Sequence, residues 1–161
     1  MFTKPLLKSL CLASMLMLGT HAAHAVEAPQ AIKTFYANFS APAPAPNAEL
    51  IAASTTEDWK SCSAVDKCRG REESAKAFAG FAKAMPDLKH EIKDIVVTAD
   101  RIVVRGQLSG TPAGDFFGVP HSGRSFSIMT IDIQEMRGNR IAHTWHMEDW
   151  PEALNQLRGN K

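Results

Sequence analysis

The run "IDIQEMRGNRIAHTWHMED" near the C-terminus gathers Asp132, His143, Trp145, His146, Met147 and Asp149 into a strand-like stretch. Carboxylates and imidazoles are the side chains that exchange protons near neutrality. A carboxylate desolvated among Trp145 and Met147 is expected to have a raised pKa and to act as general acid/base, for example in an aldol-type ring closure. His143 would share or relay that proton. The competing reading makes Asp132 and His143 a buried ion pair and Trp145 a core filler.

Register decides which of these residues meet. Gly138-Asn139 reads as a two-residue hairpin loop, which sets Asp132 opposite Trp145 and Gln134 opposite His143. One face then carries Ile128, Thr130, Asp132, Gln134, His143, Trp145, Met147 and Asp149, and this mixed face is expected to line a cavity. The other face carries Met129, Ile131, Ile133, Ala142, Thr144, His146 and Glu148. His143, His146 and Asp149 recur every three residues, yet on a strand this is no metal site. Alternation sends His146 to the far face, and six residues at ~3.3 Å each part His143 from Asp149 by about 20 Å. No metal is expected. Nor does the chain contain a nucleophile elbow, a phosphate loop or a dinucleotide fingerprint, so the chemistry is expected to need no cofactor.

The elements that must position these groups follow from periodicity. Ile32, Phe35, Tyr36 and Phe39 form a helical stripe, ended by Pro42, Pro44 and Pro46 in an extended linker. Residues 48–53 suit a short helix, and "EDWKSCS" a short strand. "REESAKAFAGFAKAMPDL" places Ala75, Phe78, Ala82 and Met85 on one helical face and stops at Pro86. The period then falls to two: strands through Leu88–Val97 and Ile102–Leu108 make a hairpin, and the run from Phe126 alternates again. Between them "GTPAGDFFGVPHSGRSF" is a glycine-rich connection, either a plain closing loop or a specificity element. Pro151 opens a last helix with Leu154 and Leu157. Helices first and an antiparallel meander afterwards make an α+β fold, with helices on a curled sheet and a pocket between them.

The first residues read as an address. Lys4 and Lys8 precede the apolar run Leu10–Leu18 and then Ala23-His24-Ala25, a signal peptide cut before Val26, which leaves 26–161 as a single domain in the periplasm or outside the cell. A lipid anchor on Cys11 is the alternative. Removal of that segment leaves 16 basic against 17 acidic residues. Such a balance recruits neither nucleic acid nor an acidic membrane surface. Cys62 and Cys68 survive processing, and export favours a disulfide between them over two unrelated thiols; a zinc site would lack two ligands.

Pro86-Asp87, Arg105-Gly106, the spacing Gly-Thr-x-x-Gly-x-Phe-x-Gly-x-Pro-x-x-Gly-Arg from Gly110 to Arg124, and Trp145 followed by Asp149 together resemble the SnoaL-like polyketide cyclase or ester cyclase family of the nuclear transport factor 2-like superfamily. The resemblance implies a cone of helices packed on a curved antiparallel sheet, enclosing a pocket for a small hydrophobic molecule. It implies an aspartate acid/base, which Asp132 or Asp149 would supply; His146 stands where relatives often carry an acid after the tryptophan. It also implies ligand contacts from Trp145, Met147, Arg105, Phe116 and Phe117, the last two at the pocket rim, and a homodimer through the sheet's outer face. The expected protein is an exported, cofactor-independent acid/base enzyme for a small apolar carbonyl compound. The alternative is a non-catalytic small-molecule binding protein with the same pocket.

Overall fold

The computed structural model describes residues 28–159; the expected signal segment and Cys11 lie outside them. Four helices, α1 (Gln30–Tyr36), α2 (Asn47–Ser54), α3 (Arg71–Ala84) and α4 (Trp150–Arg158), accompany six strands: β1 (Thr55–Ala64), β2 (Lys67–Arg69), β3 (Lys89–Val97), β4 (Arg101–Gly110), β5 (Phe126–Arg137) and β6 (Arg140–Glu148). The strands form one sheet in the order β2-β1-β6-β5-β4-β3. The β3–β6 meander is antiparallel as expected, but β1 joins β6 in parallel, so the sheet is mixed. That pairing joins residues more than eighty positions apart, beyond the reach of any local pattern.

Apolar stripes explain the packing. Ile32, Phe35 and Tyr36 of α1 pack with Ile51, Trp59, Ile102, Val104 and Ile141 at one end of the molecule. At the other end Ala153 and Leu157 of α4 meet Met85, Leu88, Leu108, Phe116, Val119, Phe126 and Ile128. Phe39 touches both clusters. The apolar face of α3 behaves differently. Phe78 and Phe81 remain only partly buried because α3 lines an open cleft between the two clusters. Asp149 caps α4, its side chain accepting from the Glu152 amide, and Pro151 opens its first turn.

One irregularity in β6 controls everything that follows. The Gly138-Asn139 turn forms as expected, with Arg137 opposite Arg140 and Met136 opposite Ile141. Beyond it Glu135 pairs with His143, which leaves Ala142 as an extra residue, a β-bulge. Ile141 and Ala142 are consecutively buried, and from there the alternation of β6 is shifted by one.

Candidate active site

Past the bulge, Asp132 lies opposite His146, Gln134 opposite Thr144 and Thr130 opposite Glu148. The inner face therefore presents Thr130, Asp132, Gln134, Thr144, His146 and Glu148. The expected register is wrong by one residue on β6, and several candidate residues fall outside the cleft in consequence. Trp145 stands on the outer face, stacked on His143 with ring centroids 4.1 Å apart and with the Arg101 guanidinium 5.6 Å away. His143 instead lies 3.2 Å from Cys62 Sγ. Met147, mostly exposed, contributes only to the outer lip of the cleft. Arg105 pairs with Asp94 on the exposed face, and Asp149 is the helix cap. Asp132 and His146 are the candidates that the fold brings together.

Asp132 is nearly sealed, at 7% exposure, and sits at the end of a directed chain of hydrogen bonds. Trp59 Nε1 donates to Thr144 Oγ1 (2.9 Å), Thr144 donates to Gln134 Oε1 (2.6 Å), Gln134 Nε2 donates to Tyr36 Oη (3.3 Å), and Tyr36 donates to Asp132 Oδ2 (2.5 Å). The ionised carboxylate at one end only accepts and the indole N–H at the other only donates, so the links between them run in one direction. All four links end on a carboxylate. Burial pushes the Asp132 pKa up to about 7; the Tyr36 hydrogen bond pulls it back, Glu148 adds to the rise and His146 opposes it. Tyr36 itself is held well above its ordinary value, by burial first and then by the Asp132 charge.

Two imidazoles flank this carboxylate, and they differ. His146 Nδ1 lies 3.0 Å from Glu148 Oε2. Burial lowers the His146 pKa, but Glu148 and then Asp132 outweigh it, and the net shift is upward. His90 stacks on Tyr36 at 4.4 Å between centroids and places Nε2 3.0 Å from Thr130 Oγ1, while its buried Nδ1 has no partner. Burial drives the His90 pKa down to about 4, leaving a neutral ring. His90 fits only because residue 106 is glycine: a Cβ there would lie 2.3 Å from the ring and 2.7 Å from Thr130 Oγ1.

These groups form the floor of a larger cleft. A small space of about 30 Å³ borders Tyr36, His90, Asp132, His146 and Glu148. Ser61, Phe78, Leu108, His146 and Glu148 also line an outer cleft of about 600 Å³, together with Phe81, Phe116, Phe117, Trp150 and the cations Lys67 and Arg69. That size suits a small organic ligand. The glycine-rich connection brings both Phe116 and Phe117 to the edge of the cleft, but only Phe116 is buried. Phe116 and Val119 exchange both backbone hydrogen bonds at 2.9 Å around Phe117-Gly118, whose φ angles are 45° and 77°. A left-handed phenylalanine costs roughly 1–2 kcal/mol relative to glycine. It holds Phe117, 61% exposed, edge-on to Trp150 at 5.7 Å.

Tyr36, His90 and Glu148 were not singled out from the chain. Tyr36 is the sole tyrosine, a polar tip on an otherwise apolar helical stripe, and His90 occupies an inward position between Leu88 and Ile92; buried polar atoms in such places demand partners. Among the described residues, three potential ligands cluster for a metal, Cys62, Cys68 and His143, but the two cysteines form a disulfide.

Comparison with known proteins agrees with this fold. No curated protein matches the chain. TsrD from Streptomyces laurentii is 26% identical, with a TM-score of 0.68 over 80% of this chain and 92% of that one. IdmH from Streptomyces antibioticus, a proposed polyketide cyclase, is 25% identical, with a TM-score of 0.67 over 79% and 95%. A protein of ketosteroid isomerase-like fold from Catenulispora acidiphila, 14% identical, shares the fold with a TM-score of 0.67 over 84% and 96%. The family model for SnoaL-like polyketide cyclases matches residues 30–157. This chain belongs to the SnoaL-like polyketide cyclase family.

Proposed function

We propose that this protein is an exported acid/base enzyme of cyclase or isomerase type that acts without a cofactor on a small, largely apolar carbonyl compound. The observation that carries the reading is a buried carboxylate, Asp132, oriented by Tyr36 and neighboured by the His146–Glu148 pair, at the floor of an apolar cleft. Asp132 Oδ2 is held by Tyr36, which leaves Oδ1 to take a proton from the carbon beside the carbonyl. His146 has Nδ1 committed to Glu148, and its Nε2–H is the donor for the carbonyl oxygen as the enol forms. The enol carbon then attacks an electrophilic carbonyl carbon of the same molecule, whose oxygen takes the proton held by Asp132, or is reprotonated by Asp132 at another position; in either case the enol O–H returns its proton to His146 Nε2 as the carbonyl re-forms. A carboxyl near pKa 7 is matched to that exchange at neutral pH.

Export is supported by the basic-apolar-small N-terminus and by the Cys62–Cys68 disulfide. A homodimer is supported by the outer face of the sheet, where Met129, Ile131, Ile133, Trp145 and Met147 are exposed side by side. One observation favours the second reading, a binding protein without turnover: the space beside Asp132 holds little more than a water molecule, so a reacting carbon must displace the floor to arrive.

The test is exchange of α-hydrogens for deuterium in a panel of aryl and alicyclic ketones, followed by NMR in D2O. The expected result is exchange by the wild type that Asp132→Asn abolishes while ligand binding persists. Ketones that bind but never exchange would overturn the enzymatic reading in favour of the binding protein.

A further inference from the structure

The β1–β2 hairpin carries two cations to the mouth of the cleft, and nothing in the mechanism above uses them. Arg69 pairs with Ser61 across the hairpin, and Ser61 pairs with Thr144 on β6. Directly opposed residues in a sheet look the same way, so Arg69 shares the inward direction of Ser61 and Thr144, and Lys67, two residues away, shares it too. Both line the outer cleft with Ser61 and Ser63. Cys68, between them, points the other way and is tied to Cys62. The disulfide thus closes a hairpin only a few residues long and holds the two cations over the opening. Among the described residues neither cation has a carboxylate within 4 Å or a hydrogen-bond partner, although Arg101, Arg105, Arg137, Lys76, Lys89 and Lys93 all have ion-pair partners. Arg69 is also close enough for its charge to act on His146.

We propose that Lys67 and Arg69 form an anion subsite, and that the ligand is an amphipathic acid whose carboxylate rests at the mouth while its apolar body lies along Phe78, Phe81, Phe116 and Trp150. This rests on the reading of the cleft as a site for an apolar ligand, and it adds the polarity of that ligand: an anionic end outside, a carbonyl end inside. The arrangement also has an electrostatic logic. The floor holds Asp132 and Glu148 against the one imidazole of His146, already paired with Glu148, so a carboxylate that entered head first would meet more acid than base, whereas at the mouth it meets two cations. The cations therefore select which end of the molecule reaches the floor.

The test uses dansyl-labelled undecanoic acid and its methyl ester, titrated by fluorescence into the wild type and into Lys67→Met/Arg69→Met. The wild type is expected to bind the acid about tenfold more tightly than the ester, the scale of one charge-assisted contact. The double variant should bring the two within about twofold while the ester's own affinity stays unchanged, which reports an intact cleft. Lys67→Arg/Arg69→Lys should retain the preference, and Lys83→Ala, an exposed cation off the cleft, should leave it untouched. Equal affinity of the wild type for acid and ester overturns the anion subsite and leaves the apolar cleft standing. Failure of both probes to bind overturns the two readings together.

Discussion

The Tyr36 hydroxyl, at the end of α1, lies 2.5 Å from Asp132 Oδ2 on β5, across 96 residues of chain. Three further hydrogen bonds behind it run to Trp59 on β1, so the first helix and strands β1, β6 and β5 are all anchored in one polar line. A carboxylate in an apolar interior is costly, and this line makes it tolerable by aiming every available proton toward it.

Asp132→Asn should therefore raise stability while removing activity. The folded-state pKa of about 7 lies above the ordinary 3.8, so the folded protein retains a proton that the unfolded chain releases. The contribution of Asp132 is thus greatest below 3.8 and is lost as pH rises through about 7, a change on the order of 4 kcal/mol. Asparagine accepts from Tyr36 without a charge. In urea denaturation the variant should exceed the wild type by about 1–4 kcal/mol at pH 8 and lose the advantage near pH 4. His90, lowered to about 4, works in the opposite sense between 4 and 6.5, gaining stability as pH rises. It is present in both proteins, so the difference between them isolates Asp132. A wild type more stable than the variant at pH 8 would contradict the account.

Thr144→Val breaks the line at its middle. It leaves Trp59 Nε1 without an acceptor and Gln134 Oε1 without a donor, both in fully buried side chains. The expected loss is roughly 2–4 kcal/mol by chemical denaturation. Trp59→Phe, which removes only the first donor, should cost less, about 1 kcal/mol, and the order of the two variants is the check.

Gly106→Ala should act on His90 rather than on β4 itself. The new methyl group would lie 2.3 Å from the imidazole, so the ring must leave its stack on Tyr36. The fold should lose about 1–3 kcal/mol. In NMR titration His90, freed from burial, should titrate closer to 6.5 than to 4. An unmoved His90 resonance would show that the strand yields instead of the ring.

Ile131→Lys places a charge opposite Met147 on the exposed apolar face. Light scattering of the mature protein is expected to give a dimer for the wild type and a monomer for the variant, with the melting temperature of the monomer little changed. A wild type that remains monomeric at high concentration would remove the dimer from the proposal.

Much of the fold was legible in the chain because local patterns specify it. The α1 and α3 stripes, the turn at Gly138-Asn139, the Phe116-Phe117 rim and the Cys62–Cys68 link all express short-range rules. The site was less legible, for two reasons. Tyr36, His90, Trp59 and Asp132 come together only through long-range closure of the sheet on the helices, which no window of sequence contains. The bulge at Ala142 left no compositional mark, yet it exchanged Trp145 and His143 for His146 and Thr144 on the inner face. Trp145 is also a misleading signal: large aromatic residues favour cavities and outward contact surfaces alike.

The bulge makes the β5–β6 hairpin a frame selector. Were Ala142 to pair with Glu135 instead of bulging out, the remainder of β6 would turn over, sending His146 and Glu148 outward and His143 and Trp145 inward, with no side chain replaced. Relatives in which this bulge is absent or moved along the strand would then carry different pocket chemistry on the same scaffold. In such a lineage, new reactivity can arise by slippage of a strand rather than by exchange of its amino acids.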